Sequence, residues 1–211
     1  MTPPPILLIH GAATSSRVWR RLIPLLEARG LPVRAPDRPC SGDMDEEIDF
    51  LEPLAHGAVL VGVSGGATLG WELISRTPSP AAAVLHEPAA GSLHPGLLAG
   101  PLQALEEGGP SSFARALYGS SWNENEMSDA STVPRDVAMF ARFEPRPSHP
   151  EAGPVRLTVG GESPPVRHEA AEAFEQRFGL PTAVLPQTGH AAHLQSPGTF
   201  SELIAEVTEA L

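Results

Sequence analysis

One feature restricts the fold more than any other: short, nearly unbroken apolar runs alternate with longer stretches whose apolar residues fall at helical spacing. "ILLIHG" (6–11), "LPVRAPD" (31–37), "AVLVGVS" (58–64), "AAAVLHE" (81–87), "VRLTVGG" (155–161) and "PTAVLP" (181–186) read as strands. "SRVWRRLIPLLEARG" (16–30), "DEEIDFLEPLA" (45–55), "GATLGWELISR" (66–76), "PVRHEAAEAFEQRFG" (165–179) and "GTFSELIAEVTEAL" (198–211) read as helices. A strand that is apolar on both sides has to be covered on both faces. A helix after each strand returns the chain to begin a parallel neighbour. The expected fold class is α/β, a sheet of about six parallel strands with helices on both faces. The 211 residues, with 41% apolar and 18% charged, suit one domain over 1–211.

Residues 88–150 interrupt the alternation. They are rich in Gly, Pro, Ser and Ala, with "GLLAGPLQALEEG", "SSFARALYG" and "RDVAMFARFEP" as three short helices. So long a stretch is not a structureless loop, and a small helical cap insertion over one end of the sheet is expected. Its apolar residues, Leu97, Leu98, Phe113, Leu117, Tyr118, Trp122, Met139, Phe140 and Phe143, suit either a wall of a site or a core of their own.

Charge and cysteine usage exclude several functions. A formal charge of −11 lacks the basic footprint that nucleic acid requires. The single cysteine, Cys40, permits no internal disulfide and belongs to no metal-ligand pattern. "MTPPPILLIHG" has no basic stretch ahead of a long apolar one, and no apolar run is of membrane-spanning length. A cytoplasmic protein without membrane or nucleic-acid partners is expected, its oligomeric state left open.

Two turns and a loop carry the chemistry. Gly62, Ser64 and Gly66 form G-x-S-x-G between the third strand and its helix. In such a turn small residues let strand and helix approach, the serine is displayed, and the next N–H, that of Gly65, is left free. Gly and Ser also populate ordinary strand-to-helix turns, so this segment alone does not identify a nucleophile. His10-Gly11 ends the first strand and leads into small residues, aiming the Ala12 N–H toward the same point. Two such donors would make an oxyanion hole. The His10 side chain is assigned only an internal hydrogen bond. Near the C-terminus, "QTGHAAHLQSPGTF" follows the last strand, and a histidine there can reach across the carboxyl edge of the sheet to Ser64.

With these parts in this order, the chain resembles the α/β-hydrolase superfamily from its first strand to its last helix. The matching residues are His10-Gly11, the turn at 62–66, and Gly189-His190 with Pro197 beyond. The resemblance implies an α/β-hydrolase fold with Ser64 as nucleophile and His190, rather than His193, as general base; no cofactor or metal is implied. His86, His94, His149, His168 and His56 are left as ordinary surface or core residues.

The family's usual acid lies in a Gly-x-x-Asp loop after the penultimate strand. That loop reads "VGGESPP" (159–165), with Ser163 at the acid position. Glu162 is adjacent. Glu87 closes the strand after the nucleophile helix, where some relatives, certain haloalkane dehalogenases among them, carry their acid. Glu87 is placed ahead of Glu162. The family's first two strands are absent, and Cys40 lacks a nucleophile's setting.

The expected function is cleavage of a small carboxylic ester, lactone or thioester through a Ser-His-acid triad and an acyl-enzyme. The alternatives are a non-hydrolytic use of the triad (acyltransferase, lyase or cyclase) and a binding protein with a decayed site.

Overall fold

The computed structural model describes residues 3–127 and 129–211. Its centre is a six-stranded, all-parallel sheet in the order β2-β1-β3-β4-β5-β6. The strands are β1 (Ile6–Ile9), β2 (Val33–Arg34), β3 (Val59–Val63), β4 (Ala82–His86), β5 (Val155–Gly160) and β6 (Thr182–Leu185). β1, β3 and β4 are buried along their whole length, which explains their unbroken apolar runs. β2 is only two residues long and partly exposed, matching its weaker pattern.

Eight α-helices accompany the sheet among the described residues: α1 (Ile23–Glu27), α2 (Met44–Ala55), α3 (Gly65–Arg76), α4 (Ala99–Tyr118), α5 (Val133–Ala141), α6 (Pro165–Phe178), α7 (Ala192–Gln195) and α8 (Pro197–Glu209). The step from β1 to β2 runs one way along the sheet, and every later step runs the other way. With right-handed crossovers, this reversal puts α1 on one face and α2, α3 and α6 on the opposite one. α8 joins α1, against which it packs. Trp19, Trp71, Phe174 and Phe200 are the bulkiest buried anchors of the two faces.

One expectation needs correction. The stretch 16–30 is not one helix but a 3-10 turn at Ser16–Trp19 followed by α1, which holds Pro24 in its first turn. Proline lacks the N–H that a continuous helix would need there. Between β4 and β5, the first two expected helices are the two arms of α4, which break at Gly109 (φ 72°, ψ −168°) ahead of Pro110. No described helix is long and apolar enough to cross a membrane.

The reversal of strand order falls between β1 and β3. The carboxyl ends of these neighbouring strands diverge into separate loops, leaving a crevice there. His10–Ala12 leave β1 and Ser64 leaves β3 at this point.

Candidate active site

Ser64 sits between β3 and α3 with φ 58° and ψ −123°, a left-handed backbone that is costly for a residue with a side chain. The flanking glycines are required by contact. A Cβ on Gly66 would run into the Ile9 carbonyl, and one on Gly62 into the backbone of Gly66. Strand and helix are thus closer than any side chain allows, and the turn presents Ser64 at the crevice. Neither the N–H of Gly65 nor that of Ala12 has a protein acceptor among the described residues.

The loop carrying Ala12 is tied down from beneath. Arg38, on the loop after β2, donates from Nε to the His10 carbonyl (2.9 Å) and from Nη2 to the Gly11 carbonyl (3.2 Å). The same guanidinium is ion-paired with Glu47 of α2 (2.9 Å) and Asp136 of α5 (2.7 Å), all three buried. His10 accepts from the Arg38 N–H at Nε2 and contacts the Gly11 carbonyl through Nδ1. Burial, and then the Arg38 charge, lower its pKa to about 3, so it stays neutral as a brace. Cys40, nearby and buried, has its thiol pushed up to about 11 by desolvation, which removes thiolate chemistry near neutrality.

His190 lies on the loop after β6, and its Nδ1 is 2.7 Å from Glu87 Oε2. Glu87, with φ 50° at the end of β4, accepts from the Gly160 N–H (2.9 Å) and the Ser163 hydroxyl (2.5 Å) through Oε1. Ser163, the residue at the family's usual acid position, therefore holds a carboxylate delivered from the neighbouring strand. Glu162 is exposed, and its side chain has no polar partner among the described residues.

Burial opposes ionisation of Glu87, but the His190 hydrogen bond and the electrostatic pull of His86, His190 and Arg167 outweigh it and hold its pKa well below the usual range. His190 is lowered to about 4, by burial first and then by Arg167, against the pull of Glu87. The imidazole is neutral at pH 7 and able to accept a proton. Its Nε2 is buried and has no hydrogen-bond partner, so no bond to Ser64 is made in this state. Such bonds are often long before substrate arrives.

Two side chains given no catalytic role by the sequence complete the centre. Tyr118, at the end of α4, stacks on the His190 ring (centroids 5.7 Å apart, 20° between planes) and donates its hydroxyl to the Ala12 carbonyl (2.9 Å). Burial raises its pKa to about 12, partly offset by the adjacent Ser64 hydroxyl. His86, treated from sequence as an ordinary histidine, bonds Thr158 (2.9 Å) through Nδ1 and the Gly189 carbonyl (3.2 Å) through Nε2. It thereby steadies the residue preceding His190. No local pattern marked either one. His193 is buried against Trp19 and Tyr118.

A narrow crevice opens before Ser64. Ala12, Gly65, Thr68, Glu87 and Arg167 line its floor and side; Leu98, Phe113 and Leu117 with Val137 and Phe140, from the segment between β4 and β5, form an apolar roof. Among the described residues, no cluster of His, Cys, Asp or Glu is arranged to hold a metal ion.

The profile of the alpha/beta hydrolase family matches residues 6–203. Among solved structures, a pyrethroid hydrolase from Sphingobium faniae JZ-2 superimposes with a TM-score of 0.68 at 20% identity, covering 98% of each chain. A methylesterase from Arabidopsis gives 0.68 at 19%, covering 99% of this chain and 100% of that one. A carboxylesterase from Bacillus subtilis gives 0.67 at 17%, covering 97% and 83%. No curated protein is similar enough in sequence to match.

Proposed function

The chain belongs to the α/β hydrolase family, and from that premise we propose that it is a serine hydrolase of small carboxylic esters, lactones or thioesters. Ser64 Oγ attacks the carbonyl carbon and passes its proton to His190 Nε2. The negative charge that develops on the carbonyl oxygen is met by the N–H groups of Ala12 and Gly65, which have no protein acceptor to give up. The imidazolium formed is held by Glu87, then returns the proton to the departing alcohol or thiol. Water, activated by the same Nε2, releases the acyl group from Ser64.

The observation that carries the reading is the 2.7 Å contact between His190 Nδ1 and Glu87 Oε2. It favours the tautomer that leaves Nε2 free to act as a base toward the serine displayed on the strained turn.

A fluorophosphonate probe tests this directly. Stoichiometric labelling of the wild type that Ser64→Ala abolishes is expected. Absence of Ser64-dependent labelling would favour a binding protein on this fold instead.

A further inference from the structure

Arg167 stands in a costly place. It lies in the first turn of α6, where the helix dipole disfavours a positive charge, and its side chain is only 6% exposed. Its nearest charged partner is Glu87, with Nε 3.6 Å from Oε2, outside hydrogen-bond range. Glu87 is already committed to His190, Gly160 and Ser163. Among the described residues, the Arg167 side chain makes no hydrogen bond at all, although a guanidinium offers five donors. Among the described residues it is the one Lys or Arg lining the Ser64 crevice, whose other walls are chiefly apolar.

Helping to hold Glu87 ionised from 3.6 Å leaves the donors of Arg167 unused. A closer, two-pronged approach would serve that purpose better and would compete with His190 for the carboxylate. Moreover, Arg167 opposes the imidazolium that catalysis has to form. An anion seated on the guanidinium would use the vacant donors and relieve that opposition. The planar guanidinium fork matches a carboxylate in two-point contact, and its single charge balances a monoanion, whereas a phosphate dianion would leave one charge uncompensated between largely apolar walls.

We propose that Arg167 is a specificity residue and that the substrate is a small ester bearing a carboxylate within a few bonds of the scissile carbonyl. The inference rests on the serine-hydrolase reading and narrows its substrate class.

The test compares matched esters at pH 7.5. Monoethyl glutarate against ethyl pentanoate places the carboxylate on the acyl side, and butyryl glycolate against propyl butyrate places it on the alcohol side. On one of the two arms, kcat/KM is expected to favour the anionic ester about 10- to 100-fold, the range for a hydrogen bond to a charged group. Arg167→Met is expected to bring that ratio to about one, and Arg167→Lys to keep part of it. A ratio near one on both arms of the wild type overturns the proposal, as does a ratio that Arg167→Met leaves intact.

The pH profile supplies a readout that mere structural support would not move. The groups facing His190 are Glu87, His86, Arg167, Tyr118 and His193. A bound carboxylate offsets Arg167 and raises the His190 pKa. The acid limb of kcat should therefore lie at higher pH for the anionic ester than for its neutral counterpart; coincident limbs count against the proposal. Calorimetry on Ser64→Ala separates this failure from failure of the catalytic reading. On one of the two arms the anionic ester should bind more tightly than its neutral counterpart without turnover, and equal binding on both arms overturns the carboxylate site whatever the probe labels.

Discussion

Replacing Glu87 by Gln tests the centre most sharply, because the two side chains have the same shape and differ in what they can accept. The carboxylate takes hydrogen bonds from His190 Nδ1 (2.7 Å), Gly160 N (2.9 Å) and Ser163 Oγ (2.5 Å). A glutamine whose oxygen stays with Gly160 and Ser163 turns its NH₂ toward His190. Two donors then face each other, and the imidazole escapes by moving its proton to Nε2. That nitrogen can no longer take the proton of Ser64.

The corresponding Asp-to-Asn change in a serine-protease triad lowers kcat about 10⁴-fold, or about 5 kcal/mol of barrier at 1.36 kcal/mol per decade. The same order is expected here, with no recovery at alkaline pH, because the fault is a tautomer rather than a titration. Glu162→Gln alters an exposed side chain without partners and should leave kcat within about twofold, as surface changes do. Steady-state kinetics on a neutral ester, with circular dichroism to verify folding, read both variants. A Glu87→Gln enzyme within tenfold of wild type, or the large loss appearing in Glu162→Gln instead, would refute the assignment.

Stability should fall steeply on mild acidification. Burial lowers His10 to about 3 and His190 to about 4, with His193 well below its ordinary value, while the unfolded chain titrates near 6.5. Between about pH 6.5 and 4 the unfolded state holds more protons, so each such histidine removes about 1.4 kcal/mol of stability per pH unit as pH drops. Urea melts at pH 7, 6 and 5 measure this, and a flat free energy across that range would contradict it. Asp136→Ala leaves the buried Arg38 guanidinium paired with Glu47 alone and removes two of its acceptors. A loss of about 1–3 kcal/mol is expected by denaturant melting, the cost of buried donors left unsatisfied. Turnover should drop as well, because Arg38 holds the carbonyls of the loop that carries Ala12.

Sequence alone determined whatever depends on neighbours in the chain. Strand and helix periodicity reaches across a few residues, which is why the six-stranded parallel sheet was legible, as was the strained turn at Ser64. The glycines at 62 and 66 announce a close approach whoever the partner is. The break at 16–30 was less legible, since the apolar spacing there continues across Pro24 and masked the interruption.

Only the tertiary structure could decide which carboxylate meets the imidazole. Glu87 and His190 lie 103 residues apart and meet because the loop after β6 reaches back across β5 to the end of β4. Sequence had ranked Glu87 first by its place at a strand end, yet the hydroxyl of Ser163 as its support was invisible until β5 was laid beside β4. Tyr118, Arg38 and Arg167 were hidden for the same reason. Each owes its setting to burial and to partners on other elements, and a linear pattern records neither.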